Sequence, residues 1–310
     1  MRSRAGPGTI WRRRCSDASF TLRSPTYLNM QGSRTAIVTG ASSGIGRATA
    51  IALAQKGWNV TLVARRFKEL QNTALQCSLD PSRSTLIAAG DVTDEAFVKR
   101  LFEDTVKTFG RVDMVFNNAG INVPQVPIED LPLEAFQSVL TVNLVGPFLC
   151  TREAVRAFKA QSPQGGRVIN NGSLSAHVPR PQSAPYTCSK HAITGLTKVT
   201  ALDGRPYGIT CTQIDIGTDP SSAQASTIVA HPPHAGNAQT GIMTSHQAGA
   251  KQADGELLPD GTFQHRLLKE ATIDVKHIAD TIVHIAELPN DVTVLEMNIM
   301  ASGAPYVGRG

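Results

Sequence analysis

The segment Thr39-Gly40-Ala41-Ser42-Ser43-Gly44-Ile45-Gly46 limits this chain's fold more than any other. The apolar run Thr35-Ala36-Ile37-Val38 precedes it and reads as a buried strand. A helical pattern follows from Arg47 to Lys56, with Gly57 placed to stop it. Strand, glycine turn and helix in that order are the setting a dinucleotide-binding fingerprint needs. Gly40 permits the tight turn, Gly44 lets the backbone approach a pyrophosphate, and Gly46 lets helix and strand pack closely. The helix start then offers free N–H groups and the positive end of its dipole to phosphates. The plainer reading is a glycine loop that only reverses the chain. The two correct flanks weigh against it.

The rest of the chain continues the alternation. Strands are expected at 35–39, 59–64, 85–89, 112–116, 167–171, 209–214 and 292–298, and helices at 44–56, 67–78, 94–109, 134–160, 184–203 and 275–288. Such a pattern predicts an α/β fold, a doubly wound parallel sheet of the Rossmann type covered on both faces, in one domain spanning 33–310. The 41% hydrophobic content suffices for its core. No wholly apolar run of about 18 residues appears, so no membrane span is expected. Five cysteines, Cys15, Cys77, Cys150, Cys188 and Cys211, are scattered without metal-ligand spacing. They suggest reduced thiols inside a cell, and no metal is expected.

The net charge of +5 comes from the first 30 residues, where six arginines face one aspartate, six minus one. The remainder is formally neutral. A basic face for nucleic acid is therefore not expected, and 5% aromatic content argues against a base-stacking platform. Residues 1–32 read as an Arg-rich disordered leader, with Met30 as the working start and a cytoplasmic protein behind it. A mitochondrial targeting peptide is the alternative.

Tyr186 and Lys190 carry the chemistry. They stand at i and i+4 of a predicted helix and so share one face, with Ser173 thirteen residues upstream. A phenol beside an ammonium is biased toward its ionised form. Alone, that spacing describes many surface pairs.

Set together, Thr-Gly-x-x-x-Gly-Ile-Gly at 39–46, Asn117-Asn118-Ala119-Gly120, Asn143, Ser173, and Tyr186 with Lys190 resemble the short-chain dehydrogenase/reductases from about Arg34 to Gly217. The resemblance implies an oxidoreductase that interconverts an alcohol and a carbonyl. In it, Tyr186 is the acid or base, Lys190 tunes the tyrosine and holds the nicotinamide ribose, Ser173 donates to the substrate oxygen, and Asn143 holds a relay water. It also implies that Gly40, Ser42, Ser43, Gly44, Ile45, Gly46, Asp91, Val92, Asn118, Ala119, Gly120, Ile216 and Thr218 line the coenzyme together with Tyr186 and Lys190. Homodimers or homotetramers are usual in the family. His177 and His191 read as structural, since nothing pairs them with a nucleophile.

Coenzyme choice turns on Ala64-Arg65-Arg66 at the end of the second strand. An acid there would bind a ribose 2′-OH. Ala64 stands in its place, and a guanidinium at Arg65 suits a 2′-phosphate, which predicts NADP(H) over NAD. The sequence departs from the family at Ile216-Gly217, where Pro-Gly is usual. The 218–270 stretch is long, polar and rich in Pro, Gly, Ser and His, and reads as an irregular lid or insertion. Removing Thr218–Gly236 would set Thr240 four residues past Gly217, where the family keeps a threonine. That suggests a retained intron, and a catalytically weak isoform as one alternative function. A regulatory nucleotide-binding protein is the other. Ile121, Val123, Leu174, Val178 and Pro179 give the expected substrate side a mostly apolar lining.

Overall fold

Every residue of β1 (Thr35–Thr39) is buried, as expected of a strand covered on both faces. The computed structural model describes residues 33–77, 85–217, 252–257, 263–267 and 271–304, with only the backbone course for the two short segments 252–257 and 263–267. The 1–32 leader, Thr218, and the proposed insertion Thr218–Gly236 with its partner position Thr240 lie outside the described residues.

After β1 the elements run α1 (Gly44–Gln55), β2 (Asn59–Ala64), α2 (Phe67–Cys77), β3 (Thr85–Ala89), α3 (Glu95–Phe109) and β4 (Met114–Asn117). Then come α4 (Leu133–Leu140), a π turn (Thr141–Val145), α5 (Gly146–Ala160), β5 (Gly166–Asn171), α6 (Ala184–Gly204) and β6 (Ile209–Ile216). A hairpin, β7 (Gln252–Leu257) with β8 (Phe263–Leu267), precedes α7 (Val275–Glu287) and β9 (Glu296–Ile299). The hairpin falls inside the stretch expected to be irregular. Its sequence lacks a sustained apolar alternation, so periodicity does not reveal it.

Seven strands form one parallel sheet in the order β3-β2-β1-β4-β5-β6-β9. The doubly wound fold expected from the alternation is therefore present. Strand order reverses between β1 and β4, and in such sheets ligands bind at the carboxyl ends of the strands at that point.

Alternate residues of β1 feed two separate cores. Ala36 and Val38 join Leu53 of α1, Leu62 of β2, and Ile278 and Ile282 of α7. Ile37 joins Val98 and Leu101 of α3, Leu149 and Phe158 of α5, and Val168 of β5. The period of two along a strand sends neighbours to opposite faces.

The helical stretch Leu133–Ala160 is long and apolar enough, by length and composition, to cross a membrane. The earlier test for a wholly apolar run passes over it because polar residues interrupt it. Here it passes through the π turn without leaving helical backbone, and Leu149, Cys150, Ala154 and Phe158 bury in the core under the sheet.

Candidate active site

The glycine loop leaves β1 at the switch point. Gly40 has φ +68° and Gly44 φ +52°, a left-handed region that side chains rarely tolerate. A Cβ on Gly46 would collide with the Gly40 carbonyl oxygen and lie 2.6 Å from Asn118 Nδ2. The first turn of α1 holds no acidic side chain, and its N-cap, Ser43, makes no side-chain capping bond. That helix start is therefore open to an anion, which is what a dinucleotide's phosphates require.

Around this loop the arginines divide their work. Arg66 Nη2 donates to Ser42 Oγ and Ser43 Oγ, both at 2.9 Å. Arg65, the residue expected to meet a 2′-phosphate, lies half exposed with Nη1 3.9 Å from Asp91 Oδ2. The guanidinium that touches the loop is thus that of the neighbour, Arg66. Arg47 is held by Glu69 (2.9 Å), by Thr73 and by the Ser42 carbonyl, and braces the loop from behind. Asp91 Oδ1 accepts from Thr93 N and Thr93 Oγ1, which fixes the turn after β3. Val92 is buried against Gly146, where a Cβ would come within 2.9 Å of it.

The opposite wall follows β4. Thr39 Oγ1 accepts from Asn118 N (2.9 Å) and Ala119 N (3.0 Å). Asn118 Nδ2 donates to Thr39 O, and Asn171 Nδ2 donates to Asn118 Oδ1, each at 3.0 Å. The ends of β1, β4 and β5 are thereby tied side by side. Asn117 Nδ2 reaches Asn170 Oδ1 (2.8 Å) and Thr151 Oγ1, one layer deeper. Ile216 ends β6 in the core, and Gly217 N donates to Ile299 O at 2.8 Å.

Lys190 is buried, and its Nζ donates to Asn171 O at 2.6 Å. The same Nζ lies 5.4 Å from the centroid of the half-buried Tyr186 ring. The i,i+4 geometry of α6 thus sets the phenol beside an ammonium anchored at the end of β5, two residues before Ser173. Ser173 is 7% exposed. Its Oγ accepts from Ser175 N at 3.1 Å, so its own hydrogen is free to be donated elsewhere.

Both polar atoms of the Asn143 side chain are bonded. Oδ1 accepts from Ile121 N (2.8 Å), and Nδ2 donates to Ile121 O (2.9 Å) and reaches Ser189 Oγ (3.3 Å). The side chain clamps the segment after Gly120.

His177 reads from the sequence as structural, and its partners are carboxylates rather than a nucleophile. His177 Nε2 lies 2.8 Å from Asp215 Oδ2 and 3.1 Å from Glu296 Oε1. A signal was available in Ile214-Asp215-Ile216, an acid inside an apolar strand, because buried acids are almost always paired.

The short chain dehydrogenase family model matches residues 34–227. The chain belongs to the short-chain dehydrogenase/reductase family. A 3beta-hydroxysteroid dehydrogenase of Mediterraneibacter gnavus is 37% identical over 185 residues, which are 59% of this chain and 65% of that protein. The levodione reductase of Leifsonia aquatica is 34% identical over 177 residues, 57% of this chain and 66% of the relative. The chain thus spans just under two thirds of the length of these two relatives. Among solved structures, a 3-ketoacyl-(acyl-carrier-protein) reductase from Brucella melitensis complexed with NADH superposes with a TM-score of 0.69 at 22% identity, covering 88% of this chain and 98% of that one. An alcohol dehydrogenase from the archaeon Thermococcus sibiricus complexed with 5-hydroxy-NADP gives 0.68 at 21% identity, with the same coverage. These likenesses extend the shared fold beyond the family match, and the coenzymes complexed with those two proteins include both a phosphorylated and an unphosphorylated form.

Proposed function

We propose that this chain is an NADP-dependent oxidoreductase that interconverts a secondary alcohol and a ketone or aldehyde carbonyl. The observation that carries the reading is the buried Lys190, bonded to Asn171 at the end of β5 and set beside the Tyr186 ring on one face of α6. A nicotinamide, when bound, supplies or accepts the hydride. Tyr186 then gives a proton to the carbonyl oxygen in reduction, or takes one from the alcohol in oxidation. Ser173 donates its free hydroxyl hydrogen to the same oxygen and stabilises the negative charge growing there. Lys190 keeps a fixed positive charge beside the phenol.

The glycine loop, the uncapped start of α1 and the Asn118–Gly120 segment fit the phosphates and ribose of a dinucleotide. Preference for the phosphorylated coenzyme is supported by Ala64 at the end of β2, where no acid stands, and by Arg66 at the loop serines with Arg65 beside it. Self-association through α5 and α6 belongs to the same proposal. It is supported by Val145 at the end of the π turn, Phe148 in α5, and Val199 and Leu202 on α6, which are exposed apolar residues.

The test is a panel of ketones, aldehydes and secondary alcohols, with each coenzyme in both forms, followed by nicotinamide absorbance. The expected result is turnover that favours the phosphorylated form. Tyr186→Phe should abolish it, and Arg66→Ala should weaken NADPH binding by about tenfold or more while leaving NADH binding alone. Tyr186→Phe with wild-type rates on an active substrate would refute the assignment.

A further inference from the structure

The 3₁₀ turn Leu174–Ala176 starts at Ser173 and closes at His177, whose N donates to Leu174 O. One carboxylate holds both ends of it. Asp215 is completely buried in β6. Its Oδ1 accepts from Ser173 N (2.8 Å) and Gln213 Nε2 (2.7 Å), and its Oδ2 meets His177 Nε2 (2.8 Å). Carboxylates accept hydrogen bonds and do not donate them, so the imidazole presents an N–H to Asp215 and to Glu296 beyond it. Gly172 is the residue that makes the approach possible, because a Cβ there would strike Asp215 Oδ1. Buried polar groups need hydrogen-bond partners, and among the described residues this carboxyl group finds its partners in the turn that carries Ser173 and in its own strand neighbour.

We infer that Asp215 and His177 are positioning residues that fix the direction of the Ser173 hydroxyl by clamping the two ends of its turn. The inference rests on Ser173 acting on substrate, as proposed above. Asp215 fixes the Ser173 backbone, Ser175 N fixes Oγ, and the remaining hydrogen is left aimed away from both. Glu296 on β9 bounds the imidazole from the outer side, so the edge strand also takes part in setting the serine.

The experiment compares the full chain with Asp215→Ala, Asp215→Asn, His177→Gln, Ser173→Ala and the Ser173→Ala/Asp215→Ala double variant. Steady-state rates on an active carbonyl, coenzyme Kd, and amide exchange of the 172–178 segment by mass spectrometry are read on each. Asp215→Ala should lower kcat about 100-fold, the loss that a small misplacement of a catalytic group brings, with coenzyme Kd unchanged and exchange in the segment faster. Asp215→Asn keeps an acceptor for Ser173 N and a polar group for His177, and should recover at least about tenfold of that loss. The double variant should fall no further than Ser173→Ala, because Asp215 acts through that serine. His177 is partly exposed, so His177→Gln tests the far end of the turn even if Asp215→Ala does not fold. It should lower kcat and speed exchange near 177.

The inference is overturned if exchange in 172–178 is unchanged, or if the two losses multiply in the double variant. It is also overturned if wild-type activity is lost to a chelator and restored by zinc, since a cation would then join the three side chains. No turnover by the wild-type chain on any substrate would instead sink the functional reading. The exchange data would still decide whether the carboxylate holds the turn.

Discussion

Two glycine-to-alanine changes in helices of this chain should move in opposite directions. At Gly195 in α6 an added Cβ meets nothing within 4 Å. Alanine is favoured over glycine inside a helix by about 1 kcal/mol, so Gly195→Ala should raise Tm by about 2–4 °C in a domain of this size. At Gly46 in α1 the same propensity gain applies, yet the new carbon meets the Gly40 carbonyl oxygen and lies 2.8 Å from Gly40 C and 2.6 Å from Asn118 Nδ2. Two of those atoms are backbone and cannot rotate away. Overpacking of this kind costs about 1–3 kcal/mol. Displacing Asn118 also weakens its bonds to Thr39 O and Asn171 Nδ2, at about 1 kcal/mol each. The net loss is about 2–4 kcal/mol, a fall in Tm of roughly 4–16 °C. Far-UV circular dichroism melts give the first readout. Quenching of protein fluorescence by reduced coenzyme gives the second, where Gly46→Ala should weaken binding at least about tenfold because the cradle itself has moved, and Gly195→Ala should not change it. A Gly46→Ala chain that melts at or above the wild-type temperature, or binds coenzyme as tightly, would refute the close-packing argument for this loop.

Three further outcomes follow from the structure. Arg167 is buried at the start of β5, with Nη2 donating to Leu288 O, Pro289 O and Val292 O, and its burial holds its pKa below the usual value; Arg167→Ala should cost about 3–5 kcal/mol in chemical denaturation by freeing the α7–β9 connection. Burial pushes the Cys150 and Cys211 thiols up to about 12 and Cys77 up to about 11 from an ordinary 9.0. The unfolded chain loses those protons first, so stability should fall as pH rises from about 9 toward 12, less steeply in Cys150→Ala, and a maleimide at neutral pH should label exposed Cys188 ahead of those three. Lys190→Met should lower kcat by about 10²–10⁴ with Tm changed far less, as read by rates and melts on one preparation; an unchanged kcat would remove the ammonium from the chemistry.

Much of this architecture was readable because its signals are local. The strands 35–39, 59–64 and 85–89 are found at their expected bounds, since an apolar run between turn residues defines a fully buried parallel strand. The expected helix 134–160 is found as one continuous helix, Leu133–Ala160, and what periodicity does not mark is the π-helical stretch Thr141–Val145 inside it. The expected strand 292–298 is found as Glu296–Ile299, because Arg167 captures the carbonyls that precede it. In the site, Tyr186 and Lys190 were legible because their i,i+4 spacing stands in one series with the glycine loop, Asn117–Gly120, Asn143 and Ser173. The Asp215–His177 pair was not, because its members stand 38 residues apart and meet only through the β5–β6 register. Arg65 and Arg66 are adjacent, and which of them turns toward the loop is decided by backbone direction after β2, which composition does not encode.

The staple between Gly217 N and Ile299 O has an evolutionary consequence. Among the described residues beyond it, the parallel sheet is next joined by β9, after α7 begins with its own cap at Asp274. Both exits are fastened independently of what lies between them, and doubling the length of a tether closes at a penalty of only about 0.6 kcal/mol. Length changes between those two anchors are therefore cheap for the sheet, so descendants of this gene can gain or lose residues there while the seven strands keep their register.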